Sequence, residues 1–101
     1  KYQVLKNDEA DVTPAYTTEG QLVNVDEFKV LTDDKQFWPP YNPAPVIRNE
    51  ILEKNPEIAE LLNSISKELT TETVISLNAQ VDVDGREYEA VAKEFYQSLK
   101  K

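Results

Sequence analysis

The residues with the most distinctive chemistry in this sequence are aromatic side chains in a proline-rich segment. Residues 37–45 read Phe-Trp-Pro-Pro-Tyr-Asn-Pro-Ala-Pro. Proline fixes its own φ angle and keeps the preceding residue out of the helical region, so this segment, the aromatic–proline loop, is predicted to be stiff and extended. The faces of aromatic rings attract cations, and quaternary ammonium ligands are bound in this way. A loop that presents Trp38 and Tyr41 side by side is therefore a candidate site for a cationic ligand.

A second candidate aromatic residue is Tyr16. It follows Pro14 and precedes the polar turn 17–21, at the end of a predicted strand. Ligand sites collect in loops at the ends of such elements. Among the aromatic residues of the aromatic–proline loop, Phe37 is the one expected to pack against the protein. Tyr16 and Tyr41 are thus the ligand-binding candidates that the residues themselves suggest.

The composition of the chain excludes several classes of function. The sequence has 101 residues, which is one domain at most or a piece of a larger one, and it contains no His and no Cys. Ser-His-Asp and Cys-His catalysis, thiol redox chemistry and the usual zinc sites are therefore excluded. The formal net charge is −8, with 19 acidic and 11 basic residues, which opposes nucleic-acid binding. An acidic chain suits a cationic ligand, although such a charge also simply favours solubility.

The sequence does not support a calcium site, an acid–base pair or a phosphate-binding loop. Residues 82–85, Asp-Val-Asp-Gly, faintly resemble a calcium loop, but the glutamate that an EF-hand needs six residues after its glycine is replaced by Val91. Asp33 and Asp34 are adjacent, so on a strand they would point to opposite faces, and a solvated turn is expected there. No phosphate-binding glycine motif is present. The sequence therefore predicts neither catalytic nor metal-binding residues.

The first third of the chain, which must position Tyr16, is predicted to contain short strands. Residues 2–5 fit the last turn of a helix. Residues 10–17 and 27–32 have the apolar and β-branched content of short strands, and Pro14 restricts the first of these to a sheet edge. The polar turn 17–21 could begin a short helix. This part of the chain is therefore predicted to be α/β.

The remainder of the chain is predicted to be mostly helical. One helix is expected at 48–53, and a second is expected to have Asn55 as its N-cap and Pro56 in its first position. The second helix carries an apolar stripe at helical spacing, formed by Ile58, Leu61, Leu62, Ile65 and Leu69. Such stripes predict a packed core.

Two more helices are expected after residue 69. The first is predicted to have Thr70 or Thr71 as its cap, and a turn at Asp84-Gly85 is predicted to precede the last one. The last helix carries a stripe formed by Tyr88, Val91, Ala92, Phe95 and Leu99. The two stripes predict core packing and no function.

Two segments that contain the candidate tyrosines also match a known pattern. They are Glu9-Ala10-Asp11-Val12-Thr13-Pro14-Ala15-Tyr16-Thr17-Thr18-Glu19-Gly20 and Leu31-Thr32-Asp33-Asp34-Lys35-Gln36-Phe37-Trp38-Pro39-Pro40-Tyr41. Together with Asn42-Pro43-Ala44-Pro45-Val46-Ile47-Arg48, Leu77-Asn78 and Val81-Asp82, they resemble the substrate-binding proteins of ABC importers for glycine betaine, carnitine and choline. The resemblance extends over essentially the whole chain. The combined spacing is specific, whereas neither motif alone would be.

The resemblance implies an α/β fold and a place within it. The chain is expected to be a fragment of a two-lobed, periplasmic-binding-protein-like (type II) fold, with short strands followed by a helical C-terminal half. Residues 1–38 would finish the second lobe as strand, turn and strand. Residues 39–101 would form the hinge loop and the C-terminal part of the first lobe. The prolines of the aromatic–proline loop would then lie at the hinge about which the lobes close.

The resemblance also implies which residues bind the ligand. In the family, a cage of tyrosines surrounds the trimethylammonium group. The Tyr of its Ala-Tyr-[Ser/Thr]-Thr-[Asp/Glu]-Gly motif corresponds to Tyr16, and the Tyr of its Pro-Pro-Tyr motif corresponds to Tyr41. Thr17 would add a polar contact, and Trp38, where relatives often carry Phe, would pack beneath the cage. The resemblance implies no cofactor.

The implied partners are a quaternary ammonium compound and the ABC permease subunits in the membrane, with the protein outside the cytoplasm, free, anchored or fused to a permease. A fragment of the fold would leave apolar surface uncovered, so the isolated chain is expected to self-associate. Two other classes remain as alternatives. One is a protein–protein interaction module that uses the aromatic–proline loop, and the other is an enzyme that acts through carboxylates.

Overall fold

A computed structural model describes residues 1–100 of the chain. Five α-helices and one 3₁₀ helix follow one another in the order α1 (Tyr2–Lys6), the 3₁₀ helix (Gly20–Val23), α2 (Asn49–Lys54), α3 (Glu57–Ser66), α4 (Thr71–Asp82) and α5 (Tyr88–Ser98). The chain forms two compact units. Among the described residues, the first comprises 1–30 and 71–100, and the second comprises 31–70. No helix in the described part of the chain is long and apolar enough to cross a membrane.

The first unit is organised by the contact between the 3₁₀ helix and α4. Gly20 is buried at this contact. A Cβ atom at position 20 would lie 2.7 Å from the backbone nitrogen of Ala79 and 2.8 Å from the carbonyl carbon of Asn78. Both distances are far shorter than van der Waals contact, so only glycine lets the two backbones approach this closely. The small core of this unit includes Ala79 and Val91, which are both buried.

Helix α5 packs beside α4 after a tight turn. Gly85 in this turn has a φ angle of +70°, which glycine adopts without steric cost. Arg86 then joins the two helices, because its guanidinium donates hydrogen bonds to Gln80 and to Oε2 of Glu94, the latter at 2.6 Å. The predicted apolar stripe of α5 is only partly turned inward, since Val91 is buried and Tyr88 is exposed.

The second unit contains the aromatic–proline loop followed by α2 and α3. The predicted helix at 48–53 is observed as Asn49–Lys54. Helix α3 begins at Glu57, with Pro56 already in helical conformation at φ −62°. The prediction that Asn55 caps α3 is wrong, because its side-chain amide instead donates to the carbonyl of Ile51 at 3.2 Å. Asn55 thereby satisfies a carbonyl at the end of α2.

The short strands predicted at 10–17 and 27–32 are wrong, since the described residues 1–100 contain no strand. β-Branched and aromatic side chains fit well on a pleated sheet, which is why these segments were predicted to be strands. A strand forms only where a neighbouring strand supplies partners for its backbone hydrogen bonds. Here the backbone bonds locally instead. The Glu19 amide donates to the Tyr16 carbonyl at 3.2 Å, and the Phe28 amide donates to the Asn24 carbonyl at 3.1 Å. The predicted turn and short helix after residue 16 and the helical C-terminal half are confirmed.

Candidate ligand-binding residues

Tyr16 lies at the start of a closed turn in the first unit, with 65% of its surface exposed. Its backbone amide donates a hydrogen bond to Oε1 of Glu19 at 2.9 Å. Its carbonyl accepts a hydrogen bond from the Glu19 amide at 3.2 Å. Glu19 thus holds both backbone polar groups of Tyr16, while the phenol ring projects outward. Thr17 follows in the same turn and is exposed.

The carboxylate of Glu19 also binds two residues of the N-terminal segment. Oε1 accepts from the Lys1 ammonium at 2.5 Å, and Oε2 accepts from the Tyr2 hydroxyl at 2.7 Å. Burial raises the pKa of Glu19, but the hydrogen bonds from Lys1, the Tyr16 amide and Tyr2 outweigh it, so the net pKa lies below the usual value. Burial and the neighbouring Glu19 carboxylate raise the pKa of Tyr2 to about 12. Glu19 is therefore ionised and Tyr2 neutral at ordinary pH.

A second set of contacts fixes the turn to helix α4. The side-chain amide of Asn78 donates to the Thr18 carbonyl at 2.6 Å. Two residues further on, Gly20 lies against the α4 backbone at Ala79. The turn 16–20 is therefore held at its start by Glu19 and at its end by α4. Because both anchors are hydrogen-bonded or close-packed, the backbone fixes the direction of the Cα–Cβ bond of Tyr16.

A cation already lies beside the Tyr16 ring. The ammonium of Lys1 is 5.9 Å from the ring centroid of Tyr16 and 5.9 Å from that of Tyr2. These distances fall just inside the range of about 6 Å over which ring faces attract cations. The Tyr16 ring is thus accessible to a positively charged nitrogen.

Tyr41 lies in the second unit, in the aromatic–proline loop, and 82% of its surface is exposed. The start of this loop is fixed by Asp33. Its carboxylate oxygens accept from the backbone amides of Phe37 at 3.0 Å and of Trp38 at 2.9 Å. The intervening Gln36 has a φ angle of +51°. The chain therefore turns tightly before it enters the stretch of prolines.

The expectation that Phe37 packs against the protein is wrong, because 77% of its surface is exposed. Its contact is local: the Phe37 and Trp38 rings meet edge to face with centroids 5.0 Å apart. Trp38 is exposed as well. The loop thus presents its aromatic side chains at the surface of its unit.

The structure brings Tyr16 and Thr17 together in one turn, whereas Tyr41 belongs to the other unit. Sequence reasoning missed the two carboxylates that support these segments. Glu19 could have been found as an acidic residue three positions after a candidate tyrosine, in a turn. Asp33 was expected only as part of a solvated turn; the turn is confirmed, but its carboxylate also binds two backbone amides.

Comparison with known proteins shows the family to which the chain belongs. Residues 1–98 match a family described as the substrate binding domain of ABC-type glycine betaine transport system. The chain belongs to this family, OpuAC, whose members are transport substrate-binding domains with a periplasmic-binding-protein-like fold. The resemblance inferred from the two tyrosine-containing segments is therefore confirmed.

Several curated relatives are similar over almost the whole chain. The chain is 40% identical to a glycine-betaine-binding protein of Pseudomonas aeruginosa over 93% of its own length and 30% of the relative. It is 38% identical to the carnitine transport binding protein OpuCC of Listeria monocytogenes, over 95% of the chain and 31% of the relative. It is 35% identical to the ergothioneine transport permease/ergothioneine binding protein EgtU of Helicobacter pylori, over 98% of the chain and 18% of the relative. The chain thus spans less than a third of the length of these relatives.

Proposed function

We propose that this chain supplies part of the ligand site of an ABC-importer substrate-binding component, and that the ligand is a quaternary ammonium compound such as glycine betaine, choline or carnitine. Tyr16 and Tyr41 are the proposed cage residues, and Thr17 is a proposed polar contact. The observation that carries the proposal is the exposed Tyr16 ring on a doubly anchored turn, in a chain of this family.

The chemistry of the ligand supports tyrosine rings as its binding groups. A trimethylammonium group has no N–H to donate, so it is recognised by ring faces and by shape. Glycine betaine, carnitine and ergothioneine, the compounds in the names of the relatives, all carry this group. Each contact of a ring face with a cation is worth about 0.5–2 kcal/mol, depending on how far water is excluded. The Lys1 ammonium beside Tyr16 is a local example of the same attraction.

The lobe assignment belongs to the same proposal. The expected boundary divided residues 1–38 from residues 39–101; because helix α4 packs on the turn at Gly20 within one compact unit, residues 1–30 and 71–100 are instead proposed to belong to the same lobe of the family fold. The prolines 39 and 40 would mark the crossing, where their fixed φ angles limit how the chain can bend. The proposed partners are membrane permease subunits, and the proposed location is outside the cytoplasm.

Calorimetric titration of the full-length protein with glycine betaine, choline, carnitine and ergothioneine tests the proposal. Tyr16→Ala and Tyr41→Ala should each weaken the best ligand by about 2- to 30-fold, which corresponds to the loss of one ring contact. Replacement by Phe keeps the ring face and should largely preserve the affinity. Bound ligand should also change the emission of Trp38, which lies three residues before Tyr41.

Tyr88 provides a matched control, because it is an equally exposed tyrosine, at 74%, outside both candidate segments. Tyr88→Ala should leave the affinity unchanged. If Tyr16→Ala and Tyr41→Ala bind the ligand as tightly as the Tyr88 control does, the cage assignment is wrong.

The exposure of the aromatic–proline loop favours a second candidate function, a protein-binding surface. Phe37, Trp38 and Val46 are all exposed in the second unit. Under this alternative, Phe37→Ala would weaken binding of the permease subunits and leave the ligand affinity unchanged. Under the cage proposal, Tyr41→Ala would instead weaken ligand binding, so the two variants separate the two functions.

A further inference from the structure

The strongest feature that the proposed function does not use is the carboxylate of Glu19. Its side chain is only 22% exposed, and both of its oxygens are engaged. Oε1 accepts from the Tyr16 amide and the Lys1 ammonium, and Oε2 accepts from the Tyr2 hydroxyl. The charged acceptor makes these bonds stronger than hydrogen bonds between neutral groups. Glu19 thus joins the N-terminal segment to the turn that carries Tyr16.

The bond to Tyr16 constrains the backbone from which its ring projects. The carboxylate holds the amide of Tyr16, one covalent bond away from the Cα atom that carries the side chain. The Tyr16 carbonyl is held by the Glu19 amide, so both ends of the residue are fixed by the same partner. A ring contact with a cation depends on the position of the face over the charge, so a small rotation of this residue weakens it.

We propose that Glu19 is a positioning residue for the ligand site: its carboxylate holds the Tyr16 backbone so that the ring face is preorganised for the cation. This inference rests on the proposed function of Tyr16. Glu19 itself contacts no ligand in this scheme. Its role is to remove, before binding, the conformational freedom that the Tyr16 turn would otherwise lose when the ligand is bound.

The test is a double-mutant cycle in the full-length protein, with glycine betaine or the best ligand of the panel as the probe. Glu19→Ala should weaken binding about tenfold, a factor equivalent to about 1.4 kcal/mol. In the Tyr16→Ala background, the same change should weaken binding less than about twofold, because Glu19 acts through Tyr16. Equal losses in the two backgrounds, or no loss in either, overturn the proposal.

Two further variants separate positioning from simple destabilisation. Glu19→Gln retains an oxygen that accepts from the Tyr16 amide and should restore the affinity to within about threefold of the original. Glu27→Ala is the matched control, because Glu27 pairs with Lys6 at 2.9 Å in the same unit and is bonded to neither Tyr16 nor Tyr2. Glu27→Ala should leave binding unchanged. A loss with Glu27→Ala as large as that with Glu19→Ala overturns the specific role of Glu19.

Amide hydrogen exchange gives a readout that needs no ligand. The Tyr16 amide should exchange faster in Glu19→Ala and at nearly the original rate in Glu19→Gln, and an unchanged rate in Glu19→Ala overturns the proposal. The two hypotheses fail differently. Full affinity in Tyr16→Ala refutes the cage, and with it a role of Glu19 in ligand binding. A weakened Tyr16→Ala beside an unaffected Glu19→Ala refutes only the positioning role.

Discussion

Replacing Gly20 by alanine is the sharpest test of how the Tyr16 turn is attached to helix α4. The added Cβ atom would lie 2.7 Å from the backbone nitrogen of Ala79, 2.8 Å from the carbonyl carbon of Asn78 and 2.9 Å from the Cα atom of Ala79. All three are backbone atoms within a helix, so no side-chain rotation relieves the overlap. Either the 3₁₀ helix or α4 must move.

The cost follows from the two contacts that are lost. Overpacking of a close-fitting contact costs about 1–3 kcal/mol. Moving the turn away from α4 also lengthens the hydrogen bond from Asn78 to the Thr18 carbonyl, now 2.6 Å, and such a bond contributes about 0.5–1.5 kcal/mol. We therefore expect Gly20→Ala to lower the free energy of unfolding by about 2–4 kcal/mol. The urea midpoint would fall by this loss divided by the m value of the full-length protein.

Urea unfolding of the full-length protein measures this change, and Gly85→Ala is the control. Position 85 has open space around it but a φ angle of +70°, so alanine there costs only the strain of the left-handed conformation, about 1–2 kcal/mol. Gly85→Ala should leave the exchange rate of the Tyr16 amide unchanged, whereas Gly20→Ala should increase it. A loss below about 0.5 kcal/mol for Gly20→Ala would refute the tight packing of the turn on α4.

Three other outcomes are expected. Asp33→Ala should speed hydrogen exchange of the Trp38 amide at least about tenfold, because it removes the charged acceptor of that amide. Asp33→Asn should have a smaller effect, since one side-chain oxygen remains. Equal exchange rates in all three forms would contradict the bond. The raised pKa of Tyr2, about 12, means that the folded form keeps its proton longer than an unfolded tyrosine, whose pKa is about 10. The protein should therefore lose stability between about pH 10 and 12, and Tyr2→Phe should lose less over the same interval, which thermal unfolding against pH would measure. The isolated chain should self-associate at micromolar concentration, because large apolar side chains lie at its surface; Val46, for example, is 96% exposed. A monomer in analytical ultracentrifugation would contradict this expectation.

Much of the helical structure could be predicted because its signals are local. Periodic apolar residues predicted α3 and α5, and residues 2–5, which fit the last turn of a helix, lie in α1. Pro56 was expected at the start of α3, and it lies there in helical conformation. The exact cap was missed, because Asn55 found a carbonyl of the preceding helix within reach.

The strands could not be predicted in the same way. Residues 10–17 and 27–32 have suitable side chains, but a strand requires a neighbouring backbone that is unsatisfied and correctly placed. Side-chain pattern carries no information about that neighbour. Instead, the Glu27 and Phe28 amides donate to the Asn24 carbonyl, and the Tyr16 amide donates to the Glu19 carboxylate.

The sequence by itself determined the family and the identity of the candidate side chains. The sequence alone shows the motif around Tyr16, the Pro-Pro-Tyr motif that contains Tyr41, and the absence of His and Cys. These features depend on residue type and short spacing, which folding does not alter.

Only the tertiary structure decided how Tyr16 is held. The Asn78 amide lies 60 positions after the Thr18 carbonyl that it binds, and Gly20 is required by a helix that begins at Thr71. Glu19 gains its role from a lysine and a tyrosine at the start of the chain. Hydrogen bonds and close packing act over a few ångströms in space, whatever the distance along the chain, so such partners become apparent only once the backbone is folded.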